Sequence, residues 1–289
     1  MLLQINQFFS AKKLSSNSLK RKLILGVISV IVLGILAWQI LRQPLQLVNP
    51  PQILGHGGMG VNSILPLNSM ASIKKALSYQ IDGTEIDVRM TADEVLIALH
   101  DDQLQSTTDC EGLVSTSILN ELKYCLNKTW IQSEPISQLD AILSSDFPEG
   151  TTFSLDLKTD SEDESERSQT FIREVASTVS DYPEYKFLVE SKSLWLLSQL
   201  SFHKTGARLF YYAHEPDKAI ELALEHQLNG ISINMNLITA QQIARAHNDS
   251  LMVMIWGTGT VWSNRNAINL GADVVQTDGI RSMVAQLQK

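Results

Sequence analysis

The first 50 residues of this chain contain no aspartate or glutamate. Lys12, Lys13, Lys20, Arg21, Lys22 and Arg42 stand there unopposed, a charge of +6. The whole chain of 289 residues carries −8, which leaves −14 on residues 51–289. A region so short of cations repels polyphosphate, and this excludes a general nucleic-acid binder. If it handles a phosphate group, a local device such as a metal ion must overcome the background field. Cysteine is scarce too, with only Cys110 and Cys125. Neither has the neighbours of a zinc site or of a nucleophilic cysteine. They are two unrelated thiols or one bridge, whose loop of about 15 residues would be worth about 3 kcal/mol in chain entropy.

Charge is also missing from Leu23 to Leu41, "LILGVISVIVLGILAWQIL". Nineteen helical residues rise about 28 Å, close to the hydrocarbon thickness of a bilayer. Trp38 would lie near one interface, and the preceding basic cluster would keep the N-terminus in the cytoplasm. A cleaved signal peptide is the competing reading. The apolar run is long for one, and "AWQILRQPLQ" offers no small-x-small cleavage site. The segment therefore reads as an uncleaved signal-anchor over residues 23–42, behind a cytoplasmic basic segment, 1–22. Residues 43–52, with Pro44, Pro50 and Pro51, read as a linker. Residues 53–289 would be exported across the inner (plasma) membrane to the periplasm or cell exterior, where a disulfide would persist.

Beyond the linker, strand-like and helix-like segments alternate. Strand candidates are 52–57, 83–90, 95–100, 152–158, 186–191, 207–212, 230–234, 251–256 and 273–277. Helical patterns fall at 69–80, 115–126, 136–145, 166–180, 192–200, 216–227, 239–247 and 263–270. Repeated βα units imply a parallel sheet covered by helices, and this number of strands with no partner domain points to an α/β fold of (β/α)8 TIM-barrel type. One strand is surplus to eight. It is either 230–234 or one of the pair 83–90 and 95–100, whose four-residue gap is too short for a crossover helix and would suit a hairpin. The acidic run 160–166 reads as a solvated loop whose charge complements the next helix dipole.

Barrel enzymes collect their chemistry at the C-terminal ends of the strands. His56 lies near the end of the first strand, His100 closes 95–100, and Glu190 lies near the end of 186–191. Period two puts Glu85 and Asp87 on one side of their strand, and Asp156 and Lys158 on one side of theirs. Ile86 and Leu157 would then face the helices. Three carboxylates facing one interior cannot all stay ionised without compensation. A hard divalent cation, Mg²⁺ or Ca²⁺, held by oxygen ligands would supply it, with Lys158 adding a further positive charge. Two histidines from different strands could then act as general acid and general base across a bound group. Asp101, next to His100, reads as an orienting acid. His203, His214, His226 and His247 fall on helical or loop segments and read as ordinary.

The order "GHGG", "LPLNS", "GTEIDVRMTADEVLIALHDD", "STTDCEG", "FSLDLK", "VVQTD" resembles the glycerophosphodiester phosphodiesterase family from about residue 53 to residue 280. The resemblance implies a TIM barrel and metal-dependent cleavage of a glycerophosphodiester or a related lipid head-group phosphodiester. By position, His56 and His100 match the acid–base histidines. Glu85, Asp87 and Asp156 match the metal ligands, and Lys158 matches the lysine near the phosphate. Glu190 and Trp256 would contact substrate. The departures are specific. Gly57 stands where the family usually has an arginine, Leu67 stands where a glutamate is usual, Asp156 replaces the commoner glutamate, and of the Trp-Thr-Val-Asn stretch only Trp256 aligns. Two alternatives accompany the enzyme reading: a weakly active or non-catalytic module that binds a phosphorylated ligand, and a phospholipase D-like enzyme acting on lipid. Protein partners are not legible.

Overall fold

The computed structural model describes residues 11–41, 49–159 and 165–287. The chain divides into two units, Met1–Pro44 and Leu45–Lys289. In the first, Ala11–Leu41 forms one helix. Its described side chains open with Lys20, Arg21 and Lys22 and continue with the exposed apolar run Leu23–Ala37. Among the described residues no helix is long and apolar enough to cross a membrane. Part of the expected 23–42 span, and of the 43–52 linker, lies outside the described residues.

The second unit is a closed barrel. Its strands are β1 (Gln52–Gly55), β2 (Gly83–Met90), β3 (Thr152–Leu157), β4 (Lys186–Ser191), β5 (Arg208–Ala213), β6 (Gly230–Asn234), β7 (Met252–Thr258) and β8 (Val274–Thr277). All neighbours run parallel, and β1 pairs with both β8 and β2, so no edge remains. The surplus strand is 95–100. Leu96–Ala98 turns back antiparallel on β2, with Val88 opposite Ala98. Only Thr91–Val95 separate the two, and Glu94 takes a positive φ of 67° to close the turn. The "GISIN" segment is barrel strand β6.

Alternation divides each strand between two cores. Ile86, Val88, Phe153, Leu155, Leu157 and Val189 pack outward against the helices. Inside the barrel, Leu54, Leu188, Phe210, Met254 and Val274 form a separate apolar plug. Gly83 marks the closest approach of two strands, because a Cβ there would sit 1.7 Å from the Thr152 carbonyl oxygen. Serine and threonine N-caps start the helices that return from the C-terminal mouth: Ser69, Ser165, Ser193, Thr239 and Thr260 each accept a backbone N–H. Residues 160–164 of the acidic run lie outside the described residues, and Glu166 stands in the first turn of the helix that follows.

Residues 91–138 build a small module on β2. It has its own core of Ile97, Leu99, Leu104, Val114, Leu122 and Ile136, and the disulfide Cys110–Cys125 staples it. The helix expected over 115–126 shrinks to one turn, Leu119–Leu122. Asp102 accounts for part of the difference, since its carboxylate accepts from both the backbone N–H and the hydroxyl of Ser115 and holds that end of the segment in another path. Replacing both cysteines by serine should cost about 3 kcal/mol and lower the melting temperature by roughly 6–12 °C in calorimetry of the oxidised protein. An unchanged melting temperature would show that the bridge adds nothing to the module.

Candidate active site

Strand register assembles the carboxylates. Asp87 pairs with Asp156, and Asp156 pairs with Glu190, so three acids stand level on three adjacent strands. Glu85 lies one inward step below Asp87. All four are buried. Like charges in direct cross-strand register repel, and each acid here is met by specific donors. Lys158 Nζ lies 2.9 Å from Asp87 Oδ1 and 2.5 Å from Asp156 Oδ2. Asn68 Nδ2 donates to Asp87 Oδ2 at 2.7 Å, and Asn68 Oδ1 accepts from the Asp87 backbone N–H at 3.0 Å. Glu85 Oε2 accepts from the Gly57 N–H at 2.8 Å. Glu190 accepts from Ser154 at 3.0 Å, from Ser232 at 2.5 Å and from Gln276.

These partners are unequal, and so are the protonation states. Burial pushes the Asp87 carboxyl up, but Lys158, His100, Asn68 and His56 together hold it below its ordinary value. Burial and then the charge of Asp87 hold Glu85 well above its ordinary value. Burial likewise leaves Asp156 raised in spite of Lys158. For Lys158, burial opposes the charge, yet Asp87 and Asp156 raise it above its ordinary value. One ammonium thus satisfies Asp87 and leaves Glu85 in want of a cation. Glu85, Asp87 and Asp156 offer three oxygens that all lie within 4.8 Å of one another, a spacing that fits oxygen ligands at about 2.0–2.6 Å from one hard cation.

The two histidines flank this group from different elements. β1 ends at Gly55, so His56 sits in the turn beyond it, and its Nδ1 lies 2.8 Å from Asp278 Oδ1. Burial disfavours the imidazolium, but the Asp278 hydrogen bond and the charges of Glu85, Asp278 and Asp87 outweigh it and raise the pKa to about 10. His100 follows the antiparallel hairpin strand, not a barrel strand. It is exposed, and its Nδ1 lies 2.9 Å from Asp101 Oδ1. It also lines a 170 Å³ cleft with Leu67, Asn68, Asn127 and Thr129. Trp256, near the end of β7, stacks on Tyr212 with centroids 5.2 Å apart, and its buried Nε1 has no partner among the described residues. A 590 Å³ cavity lies at the opposite end of the barrel, beside Gln52, Thr152 and Lys186, and contains none of these carboxylates.

The structure therefore brings His56, Glu85, Asp87, Asp156 and Lys158 together, with His100 at the rim. Glu190, level with Asp87 and Asp156 in register, has its carboxylate enclosed by the donors Ser154, Ser232 and Gln276. Sequence reasoning assigned no role to Asn68 or Asp278. A signal for Asp278 existed: a closed (β/α)8 barrel must pair its first and last strands, and the observed pair Gly55–Thr277 puts His56 and Asp278 one step beyond it. The departures at 57 and 67 prove to be one feature. Gly57 has φ 52°, and a Cβ on it would lie 2.8 Å from Leu67 Cδ2, so the leucine fills the space a larger residue 57 would need.

The profile of the glycerophosphoryl diester phosphodiesterase family matches residues 58–282. The chain belongs to that family. The glycerophosphodiester phosphodiesterase of Caldanaerobacter subterraneus subsp. tengcongensis is 37% identical over 71 residues, 25% of this chain and 28% of that protein. The Bacillus altitudinis enzyme of the same name is 39% identical over 72 residues, 25% of this chain and 29% of that protein. The matched stretches thus span under a third of these curated relatives. Among solved structures, an Oleispira antarctica phosphodiesterase in complex with the product sn-glycerol-3-phosphate superposes with a TM-score of 0.73 at 22% identity, covering 83% of this chain and 98% of that one. At that identity it establishes the shared barrel.

Two outcomes follow from the geometry of this family member. Gly57→Ala should destabilise the fold by roughly 1–3 kcal/mol, through the leucine contact and the positive φ. Adding Leu67→Ala should recover part of that, so a double-mutant cycle in urea should read a coupling of about 1 kcal/mol; strict additivity would refute the shared space. Carboxylates bind a metal in their ionised form, and the cation-free site holds Glu85 protonated above its ordinary range. Cation uptake should therefore release protons and tighten as pH rises through the Glu85 titration. Titration calorimetry in buffers of different ionisation enthalpy reads the release, and Glu85→Gln should reduce it.

Proposed function

We propose that this chain is a divalent-cation-dependent phosphodiesterase that cleaves glycerophosphodiesters, with His56 and His100 as its acid–base pair. The observation that carries the reading is geometric: Glu85, Asp87 and Asp156 offer three oxygens within 4.8 Å of one another, and His56, held by Asp278 at 2.8 Å, stands in the turn after β1 beside Glu85's donor Gly57. Glu85, Asp87 and Asp156 would hold the cation. A cation bound there would polarise a phosphoryl oxygen and offset the charge that develops on it.

The chain's own groups supply the proton transfers. Asp278 orients the His56 ring and the carboxylates keep it protonated, which suits a donor to the departing oxygen as its bond to phosphorus breaks. His100, exposed and oriented by Asp101, suits the acceptor that takes the proton of the attacking hydroxyl as the new bond to phosphorus forms. That hydroxyl belongs to the substrate's own glycerol or to water. Lys158, already bridging Asp87 and Asp156, keeps both acids in place and adds positive charge beside the phosphate.

A lipid-bearing diester is the second substrate reading. Val61 and Ile64 stand exposed on the loop that borders the His100 cleft, and Thr129 from the disulfide module donates to the Ile64 carbonyl at 2.8 Å. The segment 23–42 would hold the site at a membrane facing the periplasm or cell exterior. The absence of charge from Leu23 to Leu41 and the Cys110–Cys125 bridge support that placement, because disulfides persist in such compartments.

The full chain should release a phosphomonoester or a cyclic phosphate from a panel of glycerophosphodiesters and lysolipids in Mg²⁺ or Ca²⁺, and chelation should stop it. His56→Ala and His100→Ala should each lower kcat by about 10²–10⁴. No turnover of any diester with either metal present would reject the enzyme reading and favour a phosphate-binding module.

A further inference from the structure

The carboxylate layer is overlooked by an aromatic wall that proton transfer does not use. Tyr212, near the end of β5, stacks on Trp256 at 5.2 Å with planes 18° apart, and His214 meets it edge-on at 5.6 Å. The other partner of the tyrosine ring is a cation: Lys192 Nζ stands 5.1 Å from its centroid. Register explains the approach. Glu190 pairs with Phe210 and Ser191 with Tyr211, so Lys192 emerges beside Tyr212, two residues beyond the Glu190 that pairs with Asp156. Among the described residues no carboxylate forms an ion pair with Lys192. The Tyr212 hydroxyl feels the site directly: burial and then the charge of Asp156 push it up to about 12.

Aromatic faces at a site mouth receive quaternary ammonium groups. Here the ring is already engaged by an ammonium and an indole. A trimethylammonium arriving at this wall would meet no open tyrosine face and a like charge within a few ångströms, whereas an anionic or uncharged polyol group would find the Lys192 donor. We propose that Lys192, mounted on Tyr212, is a specificity-determining residue that favours diesters with an anionic or polyol alcohol and disfavours those with a quaternary ammonium. The inference rests on the phosphodiesterase reading for its substrate class.

The test is the ratio of kcat/KM for glycerophosphoglycerol over glycerophosphocholine, measured on the full chain with Mg²⁺ or Ca²⁺. The wild type should prefer the glycerol diester. Lys192→Glu should shift the ratio toward choline by about tenfold or more, from charge reversal close to the ligand. Lys192→Ala should fall between, and Lys192→Arg should keep the wild-type ratio. A merely structural lysine would change both substrates alike, so a ratio unmoved in Lys192→Glu, or a wild-type preference for choline, overturns the proposal. If neither diester is turned over, the enzyme reading fails separately, and titration calorimetry of the two diesters on wild-type and Lys192→Glu chains reads the same ratio as affinities. Equal affinities, or binding of neither diester, then overturn it.

Discussion

Mutual repulsion among buried carboxylates is the constraint on which this structure turns. Asp87, Asp156 and Glu190 stand level on adjacent strands, with Glu85 one step below. Uncompensated, each would cost several kcal/mol in a low-dielectric interior. Compensation is distributed among segments far apart in the chain: the Lys158 ammonium beyond β3, the Asn68 amide ahead of the Met70–Leu77 helix, the Gly57 N–H after β1, and Ser154, Ser232 and Gln276 from three strands. The loops are therefore placed in part by the acids they serve. The compensation is also incomplete where chemistry would occur. Burial and then Asp156 push the Glu190 carboxyl up to about 7 in spite of its three neutral donors, while Glu85 keeps a single backbone donor and the charge of His56.

Barrel closure is the second half of that arrangement. Pairing of β1 with β8 joins residues 222 positions apart, and the His56–Asp278 contact is its product. Asp278 also accepts from the Val61 N–H at 2.9 Å, so one carboxylate orients the imidazole and the loop that borders the His100 cleft. The antiparallel hairpin delivers His100 from the opposite side. Its Leu96–Ala98 strand extends β2 beyond the barrel, and Arg89 Nε donates to the His100 carbonyl at 2.9 Å. Strand β2 thus supports two acids inside the barrel and one histidine above it.

Period-two reasoning read the strands well because alternation is a backbone property that tertiary context cannot alter. Glu85 with Asp87, and Asp156 with Lys158, share faces as their spacing requires, while Ile86 and Leu157 face the helices. The surplus strand was narrowed but not resolved, since a four-residue gap constrains pairing only between neighbours and leaves 230–234 open. Asn68 and Asp278 differ in this respect. The role of Asn68 depends on which loop folds over which strand end, and no local pattern encodes that, whereas the place of Asp278 follows from pairing the first and last strands of a closed barrel. The 115–126 segment has an adequate helical pattern, but the Asp102–Ser115 bonds and the disulfide module override it. His214 read as an ordinary loop histidine, and only the stack of Tyr212 on Trp256 gives it a position beside the site.

The departure at residue 57 shows how far a motif comparison can mislead when positions are treated singly. A glycine in place of an arginine reads as a lost phosphate contact, and a leucine in place of a glutamate reads as a lost acid. In the fold they are a fitted pair. The leucine occupies the volume next to the glycine Cα, the left-handed backbone of Gly57 points its N–H at Glu85, and the neighbouring Asn68, at φ 61°, turns its amide onto Asp87. The two substitutions therefore preserve the positioning of two metal-ligand candidates while removing one cation from the site. With Lys158 committed to Asp87 and Asp156, a substrate's second substituent would meet positive charge at Lys192, which rests 5.1 Å from the Tyr212 ring and not on the first turn of the barrel.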